Sequence, residues 1–544
     1  MAGSTHTVTN QPPPLLGYDV YGADRALVAA VERHLDPELL DEARGELSAL
    51  GRAAGSAQLQ EWAIQADENP PTLRTHDRYG HRVDEVEFHP AWHRLLGKGV
   101  GAHLTAAWAR PGGHVRRAAG FVVWTQVEAG NCCPLSMTHA AVPALRTDPE
   151  LAAEWEPRLT STVYDRETRP ARLKAGALFG MAMTEKQGGS DVRANTSSAR
   201  PLAQDGTYEL TGHKWFCSAP MSDAFLVLAR APEGLTCFLV PRVLDDGTRN
   251  PFLLQRLKDK LGNRSNASAE VEFDGTWARR VGEEGRGVQT IMGMVAATRL
   301  DCVLGSAGLM RAAVAQAVHH CAYREAFGGK LLDKPLMRNV LADLALETEA
   351  ATTLGLRLAA AYDDGGEQER ALLRIAVPAA KYWVTKRCTP VTVEAAECLG
   401  GNGYVEESGM PRLVRESPLN SVWEGAGNVQ ALDVLRVLRR EPQALNAYLH
   451  EVGQARGADH RLDAAIKDLL TDLADLEGAE ARARRLAERF ALVLQGALLV
   501  RFAPPEVADA FCAGRLGGDA GSAFGTLPHG ADLGALVERA RPLS

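Results

Sequence analysis

Apolar residues recur at three- and four-residue spacing over most of this chain, and the main departure is one central segment. The spacing predicts helices from Asp24 to Leu35 and from Asp36 to Leu50. Asn69-Pro-Pro-Thr-Leu73 interrupts the pattern, and an apolar stretch resumes from Phe121 to Ala141. Inside it Glu128 is expected as a capping or surface carboxylate rather than a catalyst. Near Gly180 the pattern changes to short β-branched and aromatic runs: Tyr208 to Phe216, Ala224 to Ala229, Leu235 to Val240 and Ala269 to Phe273. Turn pairs such as Asp205-Gly and Asp246-Gly separate them, which predicts a small, mostly antiparallel sheet. Beyond Gly287 helical spacing returns. Lys334 to Tyr362 keeps one apolar side for about eight turns. Glu369 to Leu399 is similar, with a kink expected at Pro378. Long helices joined by short glycine-containing loops predict an antiparallel bundle. The last hundred residues read as helical from Asp459 to Val500 and loop-rich after Pro504-Pro505.

Composition narrows the class. A chain of 544 residues is too long for one core, and 45% hydrophobic with 24% charged residues is ordinary for a soluble protein. No run of eighteen uncharged apolar residues is present, so neither a membrane span nor a membrane partner is expected. Met1 to Pro14 has neither a basic start nor an apolar centre, so no secretory leader is expected. Nine cysteines without a C-x-x-C pair argue against zinc and against a disulfide framework, so no metal is expected and the setting is a reducing cytoplasm. Net charge is −8, so nucleic-acid binding would need a local patch. From Glu441 onward there are 11 basic and 15 acidic residues, a net of −4. That tail still places Arg482, Arg485 and Arg489 on one helix face beside Leu486, Phe490 and Val493. Arginines of this kind either edge a buried stripe in solvent or form such a patch.

Several familiar chemistries are excluded. Gly400-Gly-Asn-Gly-Tyr404 is not a dinucleotide fingerprint and follows a helix. His319-His320 lacks the spacing of a metal pair, and neither a phosphate-binding G-x-x-x-x-G-K loop nor a G-x-S-x-G elbow occurs. Three segments keep chemical promise. Met181-Ala-Met-Thr-Glu-Lys-Gln-Gly-Gly-Ser-Asp191 offers hydroxyls and flexible backbone to a polar ring system. Trp215-Phe-Cys-Ser218 offers a flat aromatic surface. Val422-Trp-Glu-Gly-Ala-Gly-Asn-Val-Gln430 sets one carboxylate before a Gly-Ala-Gly turn, which is the pattern of a pocket mouth and equally of an ordinary loop.

In this order the segments resemble the acyl-CoA dehydrogenase flavoprotein family. Met183–Asp191, Gly212–Ser218, Arg324-Glu-Ala-Phe-Gly328, Leu399–Tyr404 and Trp423–Asn428 carry the resemblance over roughly residues 120 to 436. Longer blocks at Gly180–Val192, Arg256–Ala267 and Pro418–Leu435, with the extra C-terminal hundred residues, are similar to the family's alkylation-response branch. The implied fold is mainly α with a central β domain: an N-terminal helical domain (1–179), a middle antiparallel β domain (180–287), a C-terminal four-helix bundle (288–440) and an extra helical domain (441–544) as a candidate for DNA binding.

The resemblance implies FAD as cofactor and a homotetramer built as a dimer of dimers. It implies Glu424 as the catalytic base, with Thr298 where some relatives carry theirs. Met183, Thr184 and Ser190, with Gly188 and Gly189, would lie against the flavin ring, and Trp215, Phe216, Cys217 and Ser218 along its edge. Arg324 and Phe327 would reach the cofactor of a neighbouring subunit. Gly400, Gly401, Val422, Trp423, Gly425, Ala426, Gly427, Asn428 and Gln430 complete the expected cofactor set. Pro335 stands where a cofactor-binding glutamine is usual, and Cys217 where a threonine is usual. The implied partners are double-stranded DNA, through Arg436, Arg439, Arg440, Arg482, Arg485 and Arg489, and an acyl-CoA thioester of isovaleryl type. The implied role is protection of DNA from alkylation, with weak dehydrogenation. A metabolic acyl-CoA dehydrogenase handing electrons to an electron-transfer flavoprotein, and a non-enzymatic FAD scaffold on DNA, are the alternatives.

Overall fold

Asp24 accepts a hydrogen bond from the Leu27 amide and starts the first helix, Arg25–His34; Pro37 at the first position of the next then sets Pro37–Ala54. The computed structural model describes residues 5–203 and 205–542. It divides into two compact units, one of residues 58–301 and one that joins 1–57 to 302–544.

In the unit of residues 58–301, helices precede a seven-stranded sheet. The first of them is followed by a hairpin, Thr72–His76 with Arg82–Glu87, within a stretch expected to be mostly helical. Glu128 is the N-cap of Ala129–Leu145, as expected. Its carboxylate accepts from the amides of Gly130 (2.8 Å) and Asn131 (2.7 Å) and from the Ser265 hydroxyl (2.8 Å).

The sheet runs Phe179–Ala182, Ala224–Ala231, Ser198–Pro201, Thr207–Ser218, Ser268–Val281 and Gly234–Pro241, and Phe252–Leu257 adds to Ser268–Val281. Ala224–Ala231 also pairs with Gly234–Pro241, which closes the strands on themselves. Most pairings are antiparallel, as expected; Ala224–Ala231 runs parallel to Phe179–Ala182 and to Ser198. Phe225, Phe238, Phe252, Leu254 and Val271 fill the interior, with the rings of Phe225 and Phe252 stacked 4.7 Å apart.

The other unit is helical. The expected long helices are present as Pro335–Asp364 and Glu367–Cys398, joined through Gly365 in the left-handed conformation (φ 61°). Pro335 opens the first of these, where a missing N–H costs nothing. Gly427–Arg440, Pro442–Gly453 and Ala479–Phe502 pack against Glu367–Cys398. In the last of them Leu486, Phe490 and Val493 are buried, as the apolar stripe required. No helix among the described residues is long and apolar enough to cross a membrane.

Candidate active site

In the sheet-bearing unit the strand Phe179–Ala182 runs into the loop from Met183 to Asp191. Glu185 and Gly188 exchange backbone hydrogen bonds, which folds the loop tightly. Gly189 lies so close to Thr184 that a Cβ there would meet its Oγ1 at 2.6 Å, whereas Gly188 faces open space. The loop is tied down from below. Trp215 donates its amide to the Thr184 carbonyl (2.8 Å), and Asn195 Nδ2 donates to that of Met183 (2.9 Å). Glu185 turns inward, where it accepts from Lys214 Nζ (2.7 Å), the Thr196 amide (2.7 Å) and the Ser197 amide (3.2 Å). Burial pushes the Glu185 carboxyl up, but Lys214 and these donors outweigh it and hold it at about 2.

The strand Thr207–Ser218 carries the aromatic surface. Phe216 is 49% exposed and Trp215 half-buried. Lys258 Nζ stands 3.2 Å from the centre of the Trp215 indole, with Lys186 and Arg256 also over that ring. Cys217 is not beside them. Its side chain is fully buried in the sheet core, where burial pushes the thiol well up, so only its backbone is offered to the outer face. The cause is an irregularity between Lys214 and Cys217 that breaks the two-residue alternation.

In the helical unit Glu424 sits just before the helix Gly427–Arg440 with φ 57°, a left-handed conformation that costs a residue with a Cβ roughly 1–2 kcal/mol. Two buried side chains hold it there. Lys381 Nζ donates to the carbonyls of Trp423 and Gly425, both at 2.8 Å, and so straddles the glutamate. Gln430 Nε2 donates to the carbonyls of Glu424 (3.0 Å) and Gly425 (2.8 Å). The amide donor of Gln430 is thus used on the loop, not on a cofactor as expected. Trp423 Nε1 donates to Asn420 (2.9 Å), and Ala426 precedes the helix as its N-cap. Glu424 is half-buried and Val422 exposed. A Cβ on Gly425 (φ 91°) would meet Gln430 Nε2 at 2.7 Å, and one on Gly427 would meet Lys386 Cε at 2.7 Å. Lys381 was missed in the sequence, although a lysine inside the apolar run Ala376–Tyr382 was the signal.

Gly400 (φ 60°) and Gly401 begin a 3-10 turn with open space at both Cβ positions. Arg324 and Phe327 lie on a small exposed hairpin, Glu325–Ala326 with Gly329–Lys330; Phe327 is 95% exposed, and Arg324 donates to the Asn10 carbonyl. Thr298, buried on the helix Gly287–Tyr323, has no carboxyl to offer.

The basic residues divide. Arg489 and Arg485 both face Asp472, Arg482 donates to the carbonyl of Asp475 (2.7 Å), and Arg436 pairs with Asp433. Arg484 donates to Asn428 Oδ1 (2.7 Å). Arg439 and Arg440 are exposed and have no carboxylate partner among the described residues.

A fold of this order, with a strained glutamate before a helix and a loop of free hydroxyls at a sheet edge, defines a class. The chain belongs to the acyl-CoA dehydrogenase family, FAD-dependent oxidoreductases that act on CH–CH bonds, and within it to the AidB branch. Residues 180–276 match the acyl-CoA dehydrogenase middle domain and 285–439 its C-terminal domain. Residues 10–166 match the N-terminal domain of the adaptive response protein AidB. The chain is similar to the putative acyl-CoA dehydrogenase AidB of Escherichia coli K12, 45% identical over 94% of each chain. It is also similar to acyl-CoA dehydrogenase family member 11 of Caenorhabditis elegans, at 31% identity over 90% of this chain and 85% of the other. The crystal structure of C. elegans ACDH-11 in complex with C11-CoA superposes with a TM-score of 0.86 at 28% identity, covering 95% of this chain and 94% of that one.

The residues present fit FAD. The Thr184 and Ser190 hydroxyls have no hydrogen-bond partner among the described residues and so are available to ring carbonyls. Gly188 leaves room for close approach, and the indole of Trp215 offers a flat neighbour.

Proposed function

We propose that this protein dehydrogenates an acyl-CoA thioester with Glu424 as the base, and that it also binds double-stranded DNA in the adaptive response to alkylation. The observation that carries the first half is the backbone of Glu424. A turn residue at φ 57° is ordinarily glycine or asparagine. A glutamate kept there, with Lys381 and Gln430 fixing the peptides on both sides, is a carboxylate whose direction matters.

Dehydrogenation removes a proton from the α-carbon and a hydride from the β-carbon. Bound FAD supplies the hydride acceptor. Glu424 takes the α-proton, and an acyl chain lying over its half-buried carboxylate excludes water and raises its basicity. Thr184 and Ser190 would hold the ring by their hydroxyls. A branched, isovaleryl-like acyl group is the substrate class, in line with the resemblance to isovaleryl-CoA dehydrogenases at 28% identity over half of this chain.

For DNA, the exposed and carboxylate-free Arg439 and Arg440 support a phosphate contact, with Arg436 beside them. Arg482, Arg485 and Arg489 are weaker candidates, because Asp472 and main-chain carbonyls already engage them. A homotetramer suits the bare apolar side chains of Phe327 (95% exposed), Leu336 (85%) and Tyr404 (91%).

Anaerobic isovaleryl-CoA should bleach the flavin of the wild type, and Glu424→Gln should not bleach while still retaining duplex DNA. A wild type that holds DNA but never bleaches would leave the scaffold reading. One that bleaches, passes electrons to an electron-transfer flavoprotein and ignores DNA would leave the metabolic reading.

A further inference from the structure

The helical unit contains a polar cavity of about 340 Å³ that shares no residue with the motifs above. Five helices build it. Arg25–His34 brings Arg33 and His34, Pro335–Asp364 brings Arg357, Glu367–Cys398 brings Glu369, Pro442–Gly453 brings Glu451, and Ala479–Phe502 brings Arg501 and Phe502.

Its charges do not cancel. Arg357 takes both carboxylates: it donates to Glu369 at 2.8 and 2.9 Å and to Glu451 at 3.0 and 2.9 Å. Arg501 shares the same Glu451 (2.9 Å). Arg33 donates from Nη2 to the Phe502 carbonyl (2.9 Å) and has no carboxylate partner among the described residues. The guanidiniums of Arg33 and Arg501 both lie against the Phe502 ring, at 4.4 and 4.3 Å from its centre. Three guanidiniums therefore face two carboxylates, and the third is partly withdrawn from water. His34 adds no charge at neutral pH, because burial and then Arg357 and Arg33 push its proton affinity down to about 4. A purely structural ion-pair network needs the two pairs of Arg357 and the one of Arg501. Arg33, tied only to the carbonyl and ring of Phe502, brings a further positive charge to the same wall with no carboxylate among the described residues to offset it.

We infer that this cavity binds a small anionic metabolite, whose phosphate or carboxylate group lies against Arg33 and Arg501. Forked guanidinium donors suit either group. The space exceeds that of the anion alone, and Gln368, His450 and Gln454 outnumber the apolar Leu372 and Ala447 in the rest of the wall, which suits a largely hydroxylated body rather than an acyl chain. Such a ligand would bridge the first helix of the chain to Ala479–Phe502 and so stabilise the unit that carries Glu424.

The test uses full-length, FAD-saturated protein, with inorganic phosphate and citrate as probes and sodium chloride at matched ionic strength as control. Calorimetric titration should show one site per chain for phosphate, citrate or both, weakened on the order of tenfold or more in Arg33→Met with flavin absorbance unchanged. Response to phosphate alone marks a phosphate ester, and response to citrate alone a carboxylate. No binding of either beyond chloride overturns the proposal, and so does equal binding by Arg33→Met. Should that variant fail to fold, Arg33→Gln keeps a polar stem in place, and undiminished binding by it overturns the proposal equally.

Discussion

Lys214 Nζ lies 2.7 Å from Glu185 Oε1, and neither side chain has any solvent exposure. Lys214 belongs to the strand that ends in Trp215 and Ser218, and Glu185 to the loop that carries Thr184 and Ser190. Lys214 also donates to the Leu228 carbonyl (2.7 Å) on a third segment. The pair therefore fixes the two halves of the proposed ring site from inside. Lys214→Met strands a buried carboxylate and should cost about 3–5 kcal/mol in a denaturant titration. Adding Glu185→Leu to it should recover part of that loss, and both proteins should hold FAD more weakly than the wild type. Equal stability of the wild type and Lys214→Met would contradict this reading.

Glu424 is held in a conformation that glycine adopts without strain. Glu424→Gly should therefore raise the thermal midpoint, through a stability gain on the order of 1 kcal/mol, while dehydrogenation is lost. A drop in stability would mean that the side chain is needed for packing.

Lys381 reaches the two carbonyls that flank the base. Lys381→Met leaves the carboxylate in place but frees its direction. Turnover number should fall by roughly 10- to 100-fold with KM for acyl-CoA little changed, because misorientation is felt mainly in the transition state. A change confined to KM would assign the lysine to substrate binding.

Acid should destabilise the protein in two stages. Burial, followed by neighbouring arginines, lowers His114 to about 3, His93 to about 4 and His34 to about 4. The unfolded chain then binds more protons below about 6.5, so stability falls as pH drops from there, by about 1.4 kcal/mol per pH unit for the largely buried His114. Glu185, held at about 2, adds stability that is present above the ordinary carboxylate range and is lost as pH falls from about 4.5 toward 2. Denaturant midpoints that stay flat from pH 7 to 4 would contradict the histidine stage.

The arginine reading separates by position. Arg439→Glu with Arg440→Glu should weaken duplex retention and flatten its dependence on salt, since each lost phosphate contact lowers the slope by about one. Arg489→Glu should do much less to DNA, because Asp472 already partners Arg489. Equal effects from both would shift the patch to the C-terminal helices.

What the sequence made legible was local. Glu128 could be read as a cap because a carboxylate before Ala-Gly-Asn has few other uses at a helix start, and the long helices followed from their apolar spacing. Cys217 was misplaced because the strand irregularity after Lys214 shifts the alternation, and no residue type announces it. The hairpin Thr72–Glu87 was hidden between helices, in a segment whose charged positions obscure the two-residue period. Lys381 and Gln430 act through distant backbone carbonyls, a relationship that periodicity does not contain.

The joining of residues 1–57 to 302–544 in one unit bears on how the protein is made. As the chain leaves the ribosome, residues 58–301 emerge while Arg25–His34 still waits for its partner Pro335–Asp364 further downstream. Arg33 finds the Phe502 carbonyl, and Arg311 the Ala540 carbonyl, only after those distant residues have been made. The apolar faces of Arg25–His34 and Pro37–Ala54 are thus uncovered in the interval, and exposed apolar surface of that kind favours aggregation. A chain ended after Arg440 would keep Pro335–Asp364 against Arg25–His34 but lose the Phe502 and Ala540 carbonyls that hold Arg33 and Arg311, so loss of DNA binding in such a fragment would report a folding defect as readily as a missing contact.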